Sequence, residues 1–134
     1  MARNLTRLSA VDKYKAEMED ATIRRILDLH DEIMEMGGGY WVSISAVRVS
    51  KTEAKPHGID YSLCLLDPNG NRIICYDNAH PVTTGRPPSA KTSKTNDHLH
   101  KGKSVRPYEY TNAEKLLEDF WSDVFGVLKK EGIP

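Results

Sequence analysis

A chain of 134 residues has room for one domain with a core of its own, so a single domain over 1–134 is expected. Nineteen basic and nineteen acidic side chains leave no net charge, which excludes a global pull toward nucleic acid or an anionic membrane. No run approaches the roughly 20 apolar residues of a membrane span and no signal-peptide pattern opens the sequence, so a soluble, cytoplasmic protein is expected.

Ser9 or Thr6 is placed to cap a first helix. Val11, Tyr14, Met18, Thr22, Ile26, Leu29, Ile33 and Met36 then recur in steps of three and four, and Ile23, Leu27 and Met34 widen the stripe. Gly37-Gly38-Gly39 is expected to end this helix. Its outer face is acidic: residues 10–36 hold eight acids against four bases. The helix is expected to cover the chain's own sheet, the alternative being a partner or a second copy in a homodimer.

From Tyr40 the period becomes two. Val42, Ile44 and Ala46 alternate with Ser43 and Ser45, and a phase shift at Val47 and Val49 suggests a bulge or twist. Lys51 to Gly58 reads as a polar loop. Ile59, Tyr61, Leu63 and Leu65 mark a second strand, Asp67-Pro68-Asn69-Gly70-Asn71 a hairpin turn, and Arg72 to Tyr76 a third strand. Cys64 and Cys75 fall in these neighbouring strands and are expected to be free, buried thiols. A long loop over 81–104 follows. Val105 to Tyr110 reads as a fourth strand, kept to an edge by Pro107. Thr111-Asn112-Ala113-Glu114 fits a capping box opening a last helix, which carries Leu116, Leu117, Phe120, Trp121, Val124, Val127 and Leu128 inward and stops at Gly132. The order α-β-β-β-loop-β-α predicts an α+β fold: an antiparallel sheet of about four strands packed by an N-terminal and a C-terminal helix.

Chemistry concentrates at the two mouths of the long loop. Tyr76-Asp77-Asn78-Ala79-His80 leads into it and Asn96-Asp97-His98-Leu99-His100 leads out, so three of the chain's five histidines gather there. Residues 79–107 also hold six bases against one acid, a local excess suited to a phosphate. Cleaving RNA through its 2′-hydroxyl needs a group to take a proton, another to deliver one, and cations to steady the phosphorane. His80, His98 and His100 suit the proton roles. Asp77 and Asp97 suit the orientation of an imidazole through its second N–H. Arg86, Lys101, Lys103 and Arg106 suit the phosphate. No metal and no other cofactor is required by that scheme, although H-x-H with His80 and an aspartate also permits a metal site. His30 and His57 read as surface residues. Trp41, Phe120, Trp121 and Phe125 match core spacing, and Gly37-Gly38-Gly39 follows a helix instead of leading into one, which argues against a phosphate-binding loop.

Tyr76-Asp77-Asn78-Ala79-His80, Asp97-His98-Leu99-His100, Val105-Arg106-Pro107-Tyr108-Glu109-Tyr110 and Leu116-Leu117-Glu118-Asp119-Phe120-Trp121 together resemble the TumE-like small proteins of prokaryotes, across residues 59–131. That resemblance implies the toxin half of a two-gene toxin–antitoxin pair, with a helix-turn-helix antitoxin as partner. Joined to the histidine loop, it predicts a metal-independent endoribonuclease acting on RNA. The alternative is a toxin that binds its target, or a DNA-binding protein, without catalysis.

Overall fold

Alternation between Tyr40 and Asp77 builds the centre of the structure. In the computed structural model, which describes residues 9–81, 83, 84, 87, 88, 90–92 and 94–134, strands β2 (Tyr40–Arg48), β3 (Ile59–Leu66) and β4 (Arg72–Asp77) pair antiparallel in sequence order. Strand β1 (Ile33–Gly37) joins one edge. Strands β7 (His98–Lys101) and β8 (Ser104–Pro107) extend the other, giving a six-stranded sheet ordered β1-β2-β3-β4-β7-β8. Thr83–Thr84 (β5) and Lys91–Thr92 (β6) form a separate two-stranded ribbon within the long loop. Helices α1 (Ala10–Asp28) and α2 (Ala113–Lys130) complete an α+β fold, as expected, with more strands than the four anticipated.

Register explains which residues become core. Opposed residues of antiparallel strands point to the same face. Ile44, Leu63, Tyr76 and Leu99 are successive partners across β2, β3, β4 and β7, and all four are buried against Ile26 of α1 and Leu116, Phe120, Val124 and Leu128 of α2. The next row along is polar and faces away from the helices: Ser62, Asp77, His98 and Pro107 are successive partners, flanked by Cys64, Cys75, His100 and Val105. One face of the sheet makes the core and the other makes the site.

Several expectations are corrected here. The first helix stops at Asp28, eight positions before Met36, and Ser9 caps it by accepting the N–H of Asp12; Thr6 lies outside the described residues. Ile33, Met34 and Met36 belong to β1, because apolar residues at those positions satisfy a strand's period as well as a helix's. Gly37-Gly38-Gly39 makes the hairpin between β1 and β2, with φ of 96°, 59° and 84°, a region open to glycine at little cost. The pairing of β2 with β3 runs unbroken through Val47 to Arg48; the shifts in register occur at Glu35/Gly37 and at Leu65/Leu66. Cys64 and Cys75 are directly opposed, their Cα atoms 4.1 Å apart, and are joined as a disulfide instead of remaining free. Asn112, and not Thr111, caps α2, accepting the N–H of Lys115. Of the four large aromatics expected in the core, Phe120 is fully buried and Trp121 half-buried, while Trp41 and Phe125 are exposed. Among the described residues, no helix is long and apolar enough to cross a membrane.

Candidate functional site

The Asp77-Asn78 dipeptide ends β4 with its two side chains in different tasks. Asn78 is buried and acts as a rung of the sheet: its Oδ1 accepts the N–H of Tyr61 at 3.0 Å and its Nδ2 donates to the carbonyl of Ile59 at 2.7 Å. That fastens the end of β4 to β3. Asp77 faces the other way, and its Oδ1 accepts the N–H of Ala79 at 3.1 Å, closing a side-chain turn that bends the chain back. The bend lays His80 over His98, with ring centroids 4.5 Å apart. On the neighbouring strand, the two-residue period aims His98 and His100 to the same side as Asp77.

His98 is fully buried at the floor of the site. Its Nδ1 lies 2.8 Å from the carbonyl of Asn96, an atom that only accepts, so Nδ1 carries the proton and Nε2 faces the cluster. Nε2 of His98 is 2.8 Å from Asp77 Oδ1 and 3.0 Å from Nε2 of His100. Nε2 of His100 stands 3.8 Å from Asp77 Oδ2. His80 is exposed, and its Nδ1 lies 3.1 Å from the carbonyl of Pro81, which again puts the proton on Nδ1. One donor atom from each of Asp77, His80, His98 and His100 fits within 4.8 Å of all the others, and these are residue types that hold metal ions. Burial, together with the fields of His98 and His80, lowers the basicity of His100 despite the opposing pull of Asp77, so its imidazole is neutral near pH 7. Asp77 and His98 form the floor; His100, about one-third exposed, and His80 form a mouth open to solvent.

A family model described as Toxin TumE matches residues 4–128. The chain belongs to the TumE toxin family. No curated protein and no solved structure matches it.

The TumE fold thus brings together Asp77, His80, His98 and His100, four of the five residues given acid–base or orienting roles from the sequence. Asp97 is elsewhere. It precedes His98 by one position, and the alternation of the strand turns it through the sheet to the helical side. There, almost fully buried, it accepts from the hydroxyl of Tyr61 at 2.6 Å and pairs with Nε2 of His57 at 2.8 Å. Burial alone would raise its pKa, but the hydrogen bonds from His57 and Tyr61 outweigh burial and leave the carboxyl below its ordinary value. His57 is consequently not the surface residue expected: it is mostly buried and stacks on Tyr110 with ring centroids 3.5 Å apart. This second group borders a cavity of about 150 Å³ lined by Glu19, Thr22, Lys51, His57, Tyr110 and Asn112. Nothing in the local sequence around Pro56-His57 marks it, because its partners come from three separate segments. His30 accepts the N–H of Ala46 at 3.1 Å and ties the end of α1 to β2.

The same parity separates the cations. Lys101 follows His100 and turns to the helical side, where it pairs with Asp123 of α2 at 3.4 Å. Arg106 is the partner of Leu99 and so shares the face of the core row, at the exposed edge strand. Lys103 is exposed in the turn between β7 and β8. Arg86 lies outside the described residues. A cation that the sequence reading missed, Arg72 at the start of β4, is close enough for its field to act on His100. No periodicity or motif singles it out.

Proposed function

We propose that this TumE-family toxin is the toxin half of a two-gene toxin–antitoxin pair and that it inhibits growth by cleaving RNA at the Asp77–His80–His98–His100 cluster. The observation that carries the reading is the convergence of three imidazoles and one carboxylate at a mouth that solvent reaches. Phosphodiester cleavage requires a proton acceptor for the attacking oxygen, a proton donor for the leaving oxygen and positive charge near the phosphorane. His100, neutral and part-exposed, suits the first; His80, at the open rim, suits the second; Arg72, whose field reaches His100, contributes positive charge. His98 and Asp77 fix the arrangement from below. A helix-turn-helix antitoxin is the expected protein partner.

The test is incubation of the purified chain with defined RNAs, with products mapped by their ends. Strand cleavage is expected, with His80→Ala and His100→Ala lowering the rate at least a hundredfold at unchanged melting temperature, since each alters a side chain outside the packed core. Normal cleavage and full toxicity in both variants would refute the assignment.

A second reading, toxicity by binding alone, is favoured by one observation. Residues 10–19 of α1 are all exposed, and Val11, Tyr14 and Met18 form an uncovered apolar stripe on that half-helix, exposed by 61, 63 and 45%. Absence of RNA turnover at any protein concentration, with toxicity retained, would select it.

A further inference from the structure

We propose that Asp77, His80, His98 and His100 bind one divalent transition-metal ion, with zinc the best fit. Four donor atoms meeting within 4.8 Å set a charge problem at the floor of the site. With Nδ1–H of His98 donated to the Asn96 carbonyl, a neutral His98 aims a bare lone pair at Asp77 Oδ1, 2.8 Å away, and at Nε2 of His100, 3.0 Å away. Lone pairs at such distances repel unless something positive stands between them. A proton on Nε2 of His98 serves the carboxylate and one on Nε2 of His100 can serve His98, but each bridges a single pair, whereas donor atoms of all four residues lie within 4.8 Å of one another. One ion serves all four.

The distances agree. Tetrahedral zinc with bonds of about 2.0–2.1 Å keeps its ligand atoms about 3.3 Å apart. The separations among Asp77, His98 and His100, 2.8, 3.0 and 3.8 Å, bracket that value, so these three ask for shifts of about half an ångström, and the exposed His80, whose donor lies within 4.8 Å of the others, closes further onto the ion. The surroundings are those of a ligand shell as well. His98 and His80 each give Nδ1–H to a backbone carbonyl, which leaves Nε2 as the free donor atom of each ring, and Ala79 N–H holds the Asp77 carboxylate. Three imidazoles and a carboxylate select zinc, iron, cobalt or nickel over magnesium or calcium, which prefer oxygen. The sulfur of Cys75 comes within 3.7 Å of Asp77 Oδ2 but is joined to Cys64, which leaves an N₃O donor set. An ion here would rest on buried His98 and Asp77 and remain reachable past His80 and His100. This replaces the metal-free centre expected from the sequence. With an ion bound, His80 and His100 would be ligands and not proton carriers, so a loaded centre would replace the acid–base roles given above; that catalytic meaning rests on the ribonuclease reading, whereas the binding rests on donor geometry alone.

The full-length chain, stripped with chelator and then dialysed, is titrated with Zn(II) by calorimetry and with Co(II) by visible absorption. One ion per chain is expected, with Co(II) bands of the intensity typical of low-coordinate N/O sites. His80→Ala and His100→Ala should each weaken Zn(II) binding at least tenfold without loss of folding, judged by circular dichroism. His57→Gln, which alters a histidine outside the cluster, should leave binding unchanged. No saturable binding, or binding undiminished in both His80→Ala and His100→Ala, would overturn the inference and leave a proton between His98 and Asp77 as the occupant. Stoichiometric binding lost in those variants, without RNA cleavage, upholds the metal and ends the ribonuclease reading. Cleavage that persists in chelator, by protein that binds no metal, does the reverse.

Discussion

Replacing Asp97 by asparagine tests the separation of the two faces most directly. The substitution keeps shape and removes charge from a carboxylate that accepts from Tyr61 at 2.6 Å and contacts His57 at 2.8 Å while almost fully buried. Hydrogen bonds to a charged acceptor contribute about 1.5–3 kcal/mol each, and an amide can still accept from one partner only at the expense of the other. A loss of about 2–3 kcal/mol is expected. For a chain of 134 residues, with an unfolding entropy near 2.1 cal/mol/K per residue, that lowers Tm by roughly 7–11 °C. Because the native state holds the Asp97 carboxyl below its ordinary pKa of 3.8, its contribution is complete above that pH. It fades as pH falls through the lower native value, so the gap between parent and variant should narrow in acid. Thermal melts followed by circular dichroism from pH 7 to pH 3 measure this. Below the melt, RNA cleavage and Zn(II) binding should match the parent. An unchanged Tm with cleavage abolished would refute the argument and return Asp97 to the reaction centre.

Two further substitutions probe how the site is held. Asn78→Ala leaves the N–H of Tyr61 and the carbonyl of Ile59 without partners; a loss of about 2–4 kcal/mol is expected by denaturant titration. In contrast to Asp97→Asn, it should also weaken Zn(II) binding, because the bend that carries His80 relaxes. Gly38→Ala forces an L-residue to φ +59° and sets its Cβ 2.8 Å from the Ile133 side chain, with an expected loss of about 1–2 kcal/mol and unchanged metal affinity. A melt equal to the parent's would show that the hairpin between β1 and β2 takes another turn.

Where the sequence could be read, and where it could not, follows from strand parity. Val42, Ile44, Leu63, Leu65 and Ile74 alternate with small or polar residues, and their strands were plain. His98–Lys101 does not look like a strand in sequence because only Leu99 faces the core; the residues on its other face are the site's histidines, which erase the apolar alternation. Proximity in sequence then misled. Asp97 and Lys101 flank the histidines, yet an odd offset along an extended chain sends each to the far side of the sheet. Ile33, Met34 and Met36 fit both periods, so only pairing with β2 decides between helix and strand. The grouping of Asp77 with His80, His98 and His100 is legible, since His98 and His100 are two positions apart and the two mouths of one loop bring Asp77 and His80 beside them. Arg72 and His57 were not, since their neighbours are set by tertiary contact.

The cross-strand pairing of β4 with β7 has a consequence for biogenesis. A nascent chain that has emerged only as far as β4 carries Asp77 but neither of the two strand-borne imidazoles that stand beside it. The cluster is complete only when β7 pairs with β4, which brings His98 opposite Asp77. Any agent that keeps β7 from pairing with β4 therefore takes the cluster apart without touching its four side chains.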